Sequence, residues 1–451
     1  MPRPTKKKAQ TQPLILRPDA AGIDIGATEL FVAVPPDRAE QSIRSFGAFT
    51  EDLHALVDWL KACRVRHVAM ESTGVYWIPL FQVLEARGFE VCLVNARHVK
   101  AVPGRKTDVA DCQWLQYLHS VGLLHASFRP ADQVCVLRSY LRHRDMLVRT
   151  ASRHIQHMQK ALNQMNLHLH HVISDLTGVT GLAIIDAILA GERDPRRLAA
   201  LRDHRIKSSA ATIAKALVGD YRKEHLFALR QARQLYQAYQ TQIQECDREI
   251  EAHLATIESR TQEPPPAARA RKPERNQPRF DVRGHLHRIL GVDLTALPGI
   301  SAVTAHTLYS EIGADLGRFR TEKHFTSWLG LCPDNRVSGG KPLETRTRKV
   351  ASRAAYALRM AAYAAGRSHS AIGDFFRRKR AHLGASKAIT ATAHKLARII
   401  YHLLTTRQPY DETRFAHHQQ QDRTRRETRL RRQAQALGFM LVPCQDTSAT
   451  T

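Results

Sequence analysis

The feature that most constrains this chain is an acid set inside a strand. In Ala21–Glu29, read as AGIDIGATE, Asp24 interrupts an apolar strand pattern, and a second strand pattern, Leu30–Val34, follows a tight glycine-containing turn. A lone buried carboxylate is costly, so a metal ion, a paired base or a phosphate-binding loop has to compensate it.

Three further acids narrow the choice. Glu71 ends the apolar run HVAME, His67–Glu71, and Asp108 and Asp111 lie three apart in the helical pattern TDVADCQWLQYL. Positions i and i+3 share a helix face, so these two carboxylates can point at one place. Oxygen ligands from two strands and one helix suit Mg²⁺ (or Mn²⁺), which points to a two-metal phosphodiester site. Each acid alone also has an ordinary reading: a turn residue for Asp24, a helix cap for Glu71, a surface pair with Lys106 for Asp108. D-x-G-x-T also opens the sugar-kinase and actin-like ATPase fold, but the second glycine-rich nucleotide loop that fold needs is not found in the sequence.

The order of patterns sets the architecture. A third strand near Ser42–Phe49 precedes a helix over Glu51–Cys63, the strand ending at Glu71, a helix from about Val75 to Arg87, a strand over Glu90–Asn95 and the helix bearing Asp108 and Asp111. Three consecutive strands followed by alternating helix and strand predict a mixed α/β sheet covered by helices, the order of the ribonuclease H-like fold.

Charge bounds the partner. The chain has 68 Lys+Arg against 42 Asp+Glu, a formal net charge of +26, which calls for a large polyanion, nucleic acid above all. The seven cysteines are dispersed without a paired spacing, as in a reducing cytosol. No run of about 18 apolar residues is present, so no membrane span is expected. Residues 1–19 read as a disordered, phosphate-seeking arm, since no apolar core follows their basic start.

After the α/β domain, assigned to 20–135, the chain turns helical. In Arg138–Leu169, Leu141, Met146, Leu147, Ile155, Met158 and Leu162 fall near one face, with Arg142, Arg144, Arg149, Arg153, His154 and Lys160 around the rest. Such a helix can lie along a phosphate backbone or be a solvated face. From Leu229 through Ala232, Tyr236, Tyr239, Ile243, Cys246, Ile250 and His253 to Ile257, strict 3-4 spacing predicts a coiled-coil seam. That seam is read as an interface between subunits, with packing inside the chain as the alternative. Thus 136–260 reads as basic helices and coiled coil, and the proline-rich 261–285 as a linker.

A mostly helical domain is assigned to 286–410. LPGIS, with Gly299, resembles a helix-hairpin-helix turn whose backbone N–H groups could meet DNA phosphate. Ser338, Gly339, Gly340 and Lys341 form a loop beside Arg346, Arg348 and Lys349; Arg105 and Lys106 are a further basic pair. A hydroxyl in such a loop could attack a phosphodiester, although phosphate contact or simple flexibility explains these residues alone. Arg377–His382 reads as a phosphate patch interrupting two helices, and 411–451 as a basic tail.

The words GIDIG, MESTGVYW and GRKTDVADC around Asp24, Glu71, Asp108 and Asp111 resemble the DEDD-type insertion-sequence transposases of the IS110 family, which includes relatives of Piv-type DNA invertases. The resemblance covers about Ala21–Asp175 and Leu294–Leu404. It implies a RuvC-like, ribonuclease H-like N-terminal domain with the four acids as metal ligands, and a C-terminal domain whose loop supplies a serine nucleophile at the position of Ser338. It further implies DNA recombination for insertion-sequence mobility, a structured noncoding guide (bridge) RNA as partner, and work on bacterial nucleoid DNA in the cytoplasm. A homo-oligomer, dimer or tetramer, is expected. The alternatives are a metal-dependent nuclease or junction resolvase using the acids alone, and an architectural nucleic-acid-binding protein with inert acids.

Overall fold

The structure is a computed structural model and describes residues 14–72, 74–95, 107–267, 276–344, 346–440 and 442. The chain forms two units, Met1–Arg129 and Pro130–Thr451. Most of the arm, Arg105, Lys106 and part of the proline-rich segment lie outside the described residues.

The first unit holds a five-stranded sheet. Its strands are β1 (Ala20–Ile25), β2 (Glu29–Ala33), β3 (Ile43–Gly47), β4 (His67–Glu71) and β5 (Glu90–Val94), in the order β3-β2-β1-β4-β5. The pairs β1–β2 and β2–β3 are antiparallel, joined by a tight turn after Ile25 and by the loop 34–42. The pairs β1–β4 and β4–β5 are parallel: a helix joins β4 to β5, and another carries the chain to β4 from β3, which runs in the same direction as β1. Ile23, Val32, Val68 and Met70 pack on one face under α1 (Thr50–Ala62), through Leu56 and Leu60, and α2 (Trp77–Ala86), through Leu80 and Leu84. Glu51 and Asp52 in the first turn of α1 favour its N-terminus.

The other face is covered by α3 (Asp108–Ser120), whose Leu115 and Leu118 cluster with Ala69 and Val94. Gly22 permits this cover. A Cβ there would lie 2.3 Å from the Cys112 carbonyl oxygen and from the Gln116 nitrogen, so β1 and α3 meet backbone to backbone.

The second unit is helical. Its longest elements, α4 (Asp132–Gln164) and a helix over Lys223–Thr256, are joined by α5 (Leu169–Val172), α6 (Val179–Ala190), α7 (Pro195–Ala200) and α8 (Ala210–Ala216), so the second long helix is α9. The two run antiparallel: His253 contacts the Gln133 carbonyl at 2.7 Å near one end, and the His154 and Tyr239 rings stack at 5.3 Å towards the other. Leu229, Ala232, Ile243, Cys246, Ile250 and Leu254 of α9 are buried. The apolar seam expected to meet another subunit is therefore occupied within the chain, with Leu254 rather than His253 in the buried row. Apolar spacing is the same whichever chain supplies the partner helix.

Arg144 departs from the basic face assigned to it. It is buried and forms an ion pair with Asp247 of α9, and its Nη2 donates to the Asn276 carbonyl at 2.9 Å. Helix α4 starts at Asp132, so a domain boundary at 135 would cut its first turn.

Helix α10 (Val282–Leu290) begins inside the stretch read as linker, with the Asp281 side chain accepting from Gly284 N. Then follow α11 (Ala302–Ile312), α12 (Glu322–Trp328), a hairpin of β6 (Arg336–Ser338) and β7 (Lys341–Glu344), α13 (Arg353–Ala365), α14 (Ala371–Leu383), α15 (Ala385–Thr406) and α16 (Ala416–Ala436). Ala354, Ala355, Ala361, Ala362 and Ala365 are buried along α13, whose small side chains allow close packing. The Arg377–His382 run does not interrupt two helices; it lies within α14. Among the described residues no helix is long and apolar enough to cross a membrane.

Candidate active site

Strand register brings the first two acids together. Ile23 pairs with Met70 across parallel strands β1 and β4, and one step further sets Asp24 beside Glu71 at the carboxyl ends of both. Alternation along β1 puts Asp24 on the same face as Gly22, the face that α3 covers. The helix brings the other two. Thr107 Oγ1 accepts from Ala110 N at 3.1 Å and fixes the start of α3, so Asp108 and Asp111 occupy its first turn. A helix N-terminus favours negative charge, which steadies both carboxylates where they stand.

Asp24 feels the charges of the other three acids. Burial first, and then the charges of Asp111, Asp108 and Glu71, together push the Asp24 carboxyl up to about 6. The Cys112 thiol behind them is pushed up to about 11, first by burial, with Asp24 and Asp111 contributing. Among the described residues no three His, Cys, Asp or Glu side chains converge closely enough, as they stand, to form a metal shell. Asp24 thus lies within repulsive range of the other three carboxylates, which touch no common centre, and a hard cation would relieve that repulsion. Of the residues that set this geometry, Gly22 and Thr107 were missed in the pattern of acids. A glycine inside a strand is the available signal for a close backbone approach.

Ser338 lies in the second unit. It ends β6 and pairs with Lys341, leaving Gly339 and Gly340 as a two-residue turn. Their φ values, +55° and +75°, are both left-handed, as a type I′ hairpin turn requires. A Cβ on either would meet nothing within 4 Å, so the glycines are needed for backbone conformation rather than for space. Ser338 and Lys341 are exposed.

The expected nucleic-acid contacts divide. Arg149 and Arg153 are exposed on α4, as are Arg346 and Arg348 beyond the hairpin. Arg346 lies 3.9 Å from Glu344, and Arg348 donates to the Ser327 carbonyl at 3.1 Å. Arg142 is engaged by Glu311, its Nη2 lying 3.1 and 3.0 Å from the two carboxylate oxygens. The same buried Glu311 lies 3.5 Å from Arg138 and 3.5 Å from Arg353, which also pairs with Asp145. Gly299 has φ +86° and packs so closely on α13 that a Cβ would lie 2.2 Å from the Ala361 carbonyl oxygen. That packing accounts for the glycine.

Comparison with known families places these two sites in one context. Residues 21–167 match the DEDD transposases of the IS110 type, and residues 293–377 match the Transposase IS116/IS110/IS902 family. The chain belongs to the IS110 family of transposases. The two matches together span about half of this transposase; the first contains all four acids and the second contains Ser338. Membership implies DNA as partner and strand cutting and rejoining as activity. No curated protein matches the chain.

Proposed function

We propose that this transposase exchanges DNA strands through a divalent cation held by Asp24, Glu71, Asp108 and Asp111 and a covalent intermediate on Ser338. The observation that carries the proposal is the coupling of Asp24 to all three other acids. Mg²⁺ or Mn²⁺ bound there would polarise a scissile phosphate and stabilise charge on the leaving oxygen. The sheet order β3-β2-β1-β4-β5, with its first three strands antiparallel, supports a ribonuclease H-like, RuvC-like domain.

Ser338 Oγ forms the new bond to phosphorus while the bond from phosphorus to the strand's bridging oxygen breaks. The serine loses one proton and the leaving oxygen gains one, so one phosphodiester replaces another. Its energy is kept for rejoining, and ATP is not consumed. The hairpin turn presents the hydroxyl, and Lys341, paired with Ser338, supplies positive charge to the incoming phosphate. A bridge RNA as guide, a homo-oligomer, and work on nucleoid DNA in a bacterial cytoplasm belong to the same proposal; they rest on the family resemblance and on the net charge of +26.

The test is a denaturing gel of the full chain with the element's junction DNA, flanking RNA and Mg²⁺. A protein–DNA adduct that both Ser338→Ala and Asp24→Asn abolish is the expected result. Cleavage that survives Ser338→Ala without an adduct would replace the proposal with a metal-dependent nuclease.

A further inference from the structure

Val75, Tyr76 and Ile78, at the entry to α2, form an exposed hydrophobic patch. Val75 is 66% exposed, Tyr76 54% and Ile78 39%, although each is a large hydrophobic side chain. Segment Gly74–Ile78 carries no charge in a chain with a net charge of +26. It enters α2 from the carboxyl end of β4, the same sheet edge at which Asp24 and Glu71 stand. Val109, next to Asp108 at the start of α3, is also 39% exposed.

The turn is held rigidly. Gly74 takes φ +59°, the Trp77 indole N–H donates to the Gly74 carbonyl at 3.2 Å, and Ile78 N donates to the Val75 carbonyl at 3.1 Å. Trp77 is anchored in turn, its ring set edge-on to Phe81 at 5.7 Å. Tyr76 is therefore displayed by a fixed backbone. Three side chains make too small a patch for a protein partner, which needs about 800 Å² per side. A patch meant only for phosphate would carry Arg or Lys.

We infer that Tyr76, walled by Val75, is a stacking platform for an unpaired DNA base flanking the phosphate at the four acids. A planar aromatic ring offers any base a face without reading its sequence, which suits strands opened for exchange. Tyr76 is thus a positioning residue for the strand. The inference rests on the phosphodiester reading of the acids for its location, and its measurement is independent of cleavage.

The test uses the full chain and three DNA probes: a gapped duplex with four unpaired thymidines, the same duplex with abasic sites in the gap, and a fully paired duplex. Wild type should bind the thymidine gap about ten-fold more tightly than the abasic gap. Tyr76→Ala should remove that preference and leave paired-duplex affinity unchanged, and Tyr76→Trp should restore it. Asp24→Asn should keep the preference, so failure of the catalytic reading and failure of the stacking are separable. A preference retained in Tyr76→Ala overturns the inference. So does a variant whose only change, by sedimentation, is loss of self-association, which would make the turn an interface between copies.

Discussion

Asp24 and Glu71 close neighbouring parallel strands at the same level, one register step past the Ile23–Met70 pair. Two carboxylates so placed repel each other, and Asp108 and Asp111 add to the repulsion at Asp24. Asp24→Asn should therefore stabilise the metal-free protein by about 1 kcal/mol, a figure reduced for the half exposure of the site. Mg²⁺ should raise Tm in wild type and not in this variant, while strand cutting falls by about 100-fold or more. Calorimetry with and without metal, alongside a cleavage assay, checks both halves.

Stability should also respond to pH. Burial holds the His119 imidazole down to about 4 and the His306 imidazole down to about 3, in each case with help from a nearby arginine. The unfolded chain takes up these protons near pH 6.5 and the folded chain does not, so this stabilisation is complete above 6.5 and lost as pH falls towards 4 and 3. Asp24 acts the other way: its raised pKa favours the folded state as pH falls below about 6. With two buried histidines against one half-exposed acid, the urea midpoint should drop between pH 7 and pH 4.5. His306→Leu should flatten that drop.

The Arg144–Asp247 pair is buried between α4 and α9. Arg144→Ala should destabilise by about 3–5 kcal/mol because it strands a buried carboxylate. Arg144→Met combined with Asp247→Leu should recover most of that loss. Chemical denaturation of Arg144→Met, Asp247→Leu and the double variant measures the coupling.

The hairpin turn gives a conformational test. Gly339→Asn should keep adduct formation, since asparagine tolerates a left-handed backbone, whereas Gly339→Val should abolish it while global Tm stays within about 1 °C. Gly22→Ala should act differently. It pushes α3 off β1, costing about 1–3 kcal/mol, and displaces Asp108 and Asp111 from Asp24.

What the sequence could disclose follows from the range of each interaction. The acids were legible because each has a local signature: a strand for Asp24 and Glu71, a helical i,i+3 spacing for Asp108 and Asp111. The succession of strands and helices, and hence a mixed sheet, was legible because three strand patterns precede the alternation of helix and strand. Arg144 was not, since its partner lies 103 residues away and a buried arginine looks locally like any other on a basic helix. The Arg142–Glu311 pair was hidden for the same reason, its carboxylate standing 169 residues off on α11. The seam of α9 was visible as a pattern, but spacing carries no information on whose helix fills it. Ser338 could be placed in a turn from its glycines; that both glycines take left-handed angles required coordinates.

Glu311 gathers Arg138 and Arg142 from α4 and Arg353 from α13, while Asp145 of α4 takes a second hold on Arg353. Peptide continuity across residues 268–275 is thus redundant for keeping α4 beside α11 and α13. Fragments 1–267 and 276–451, expressed separately, should therefore co-purify, the two halves of the transposase finding each other by charge.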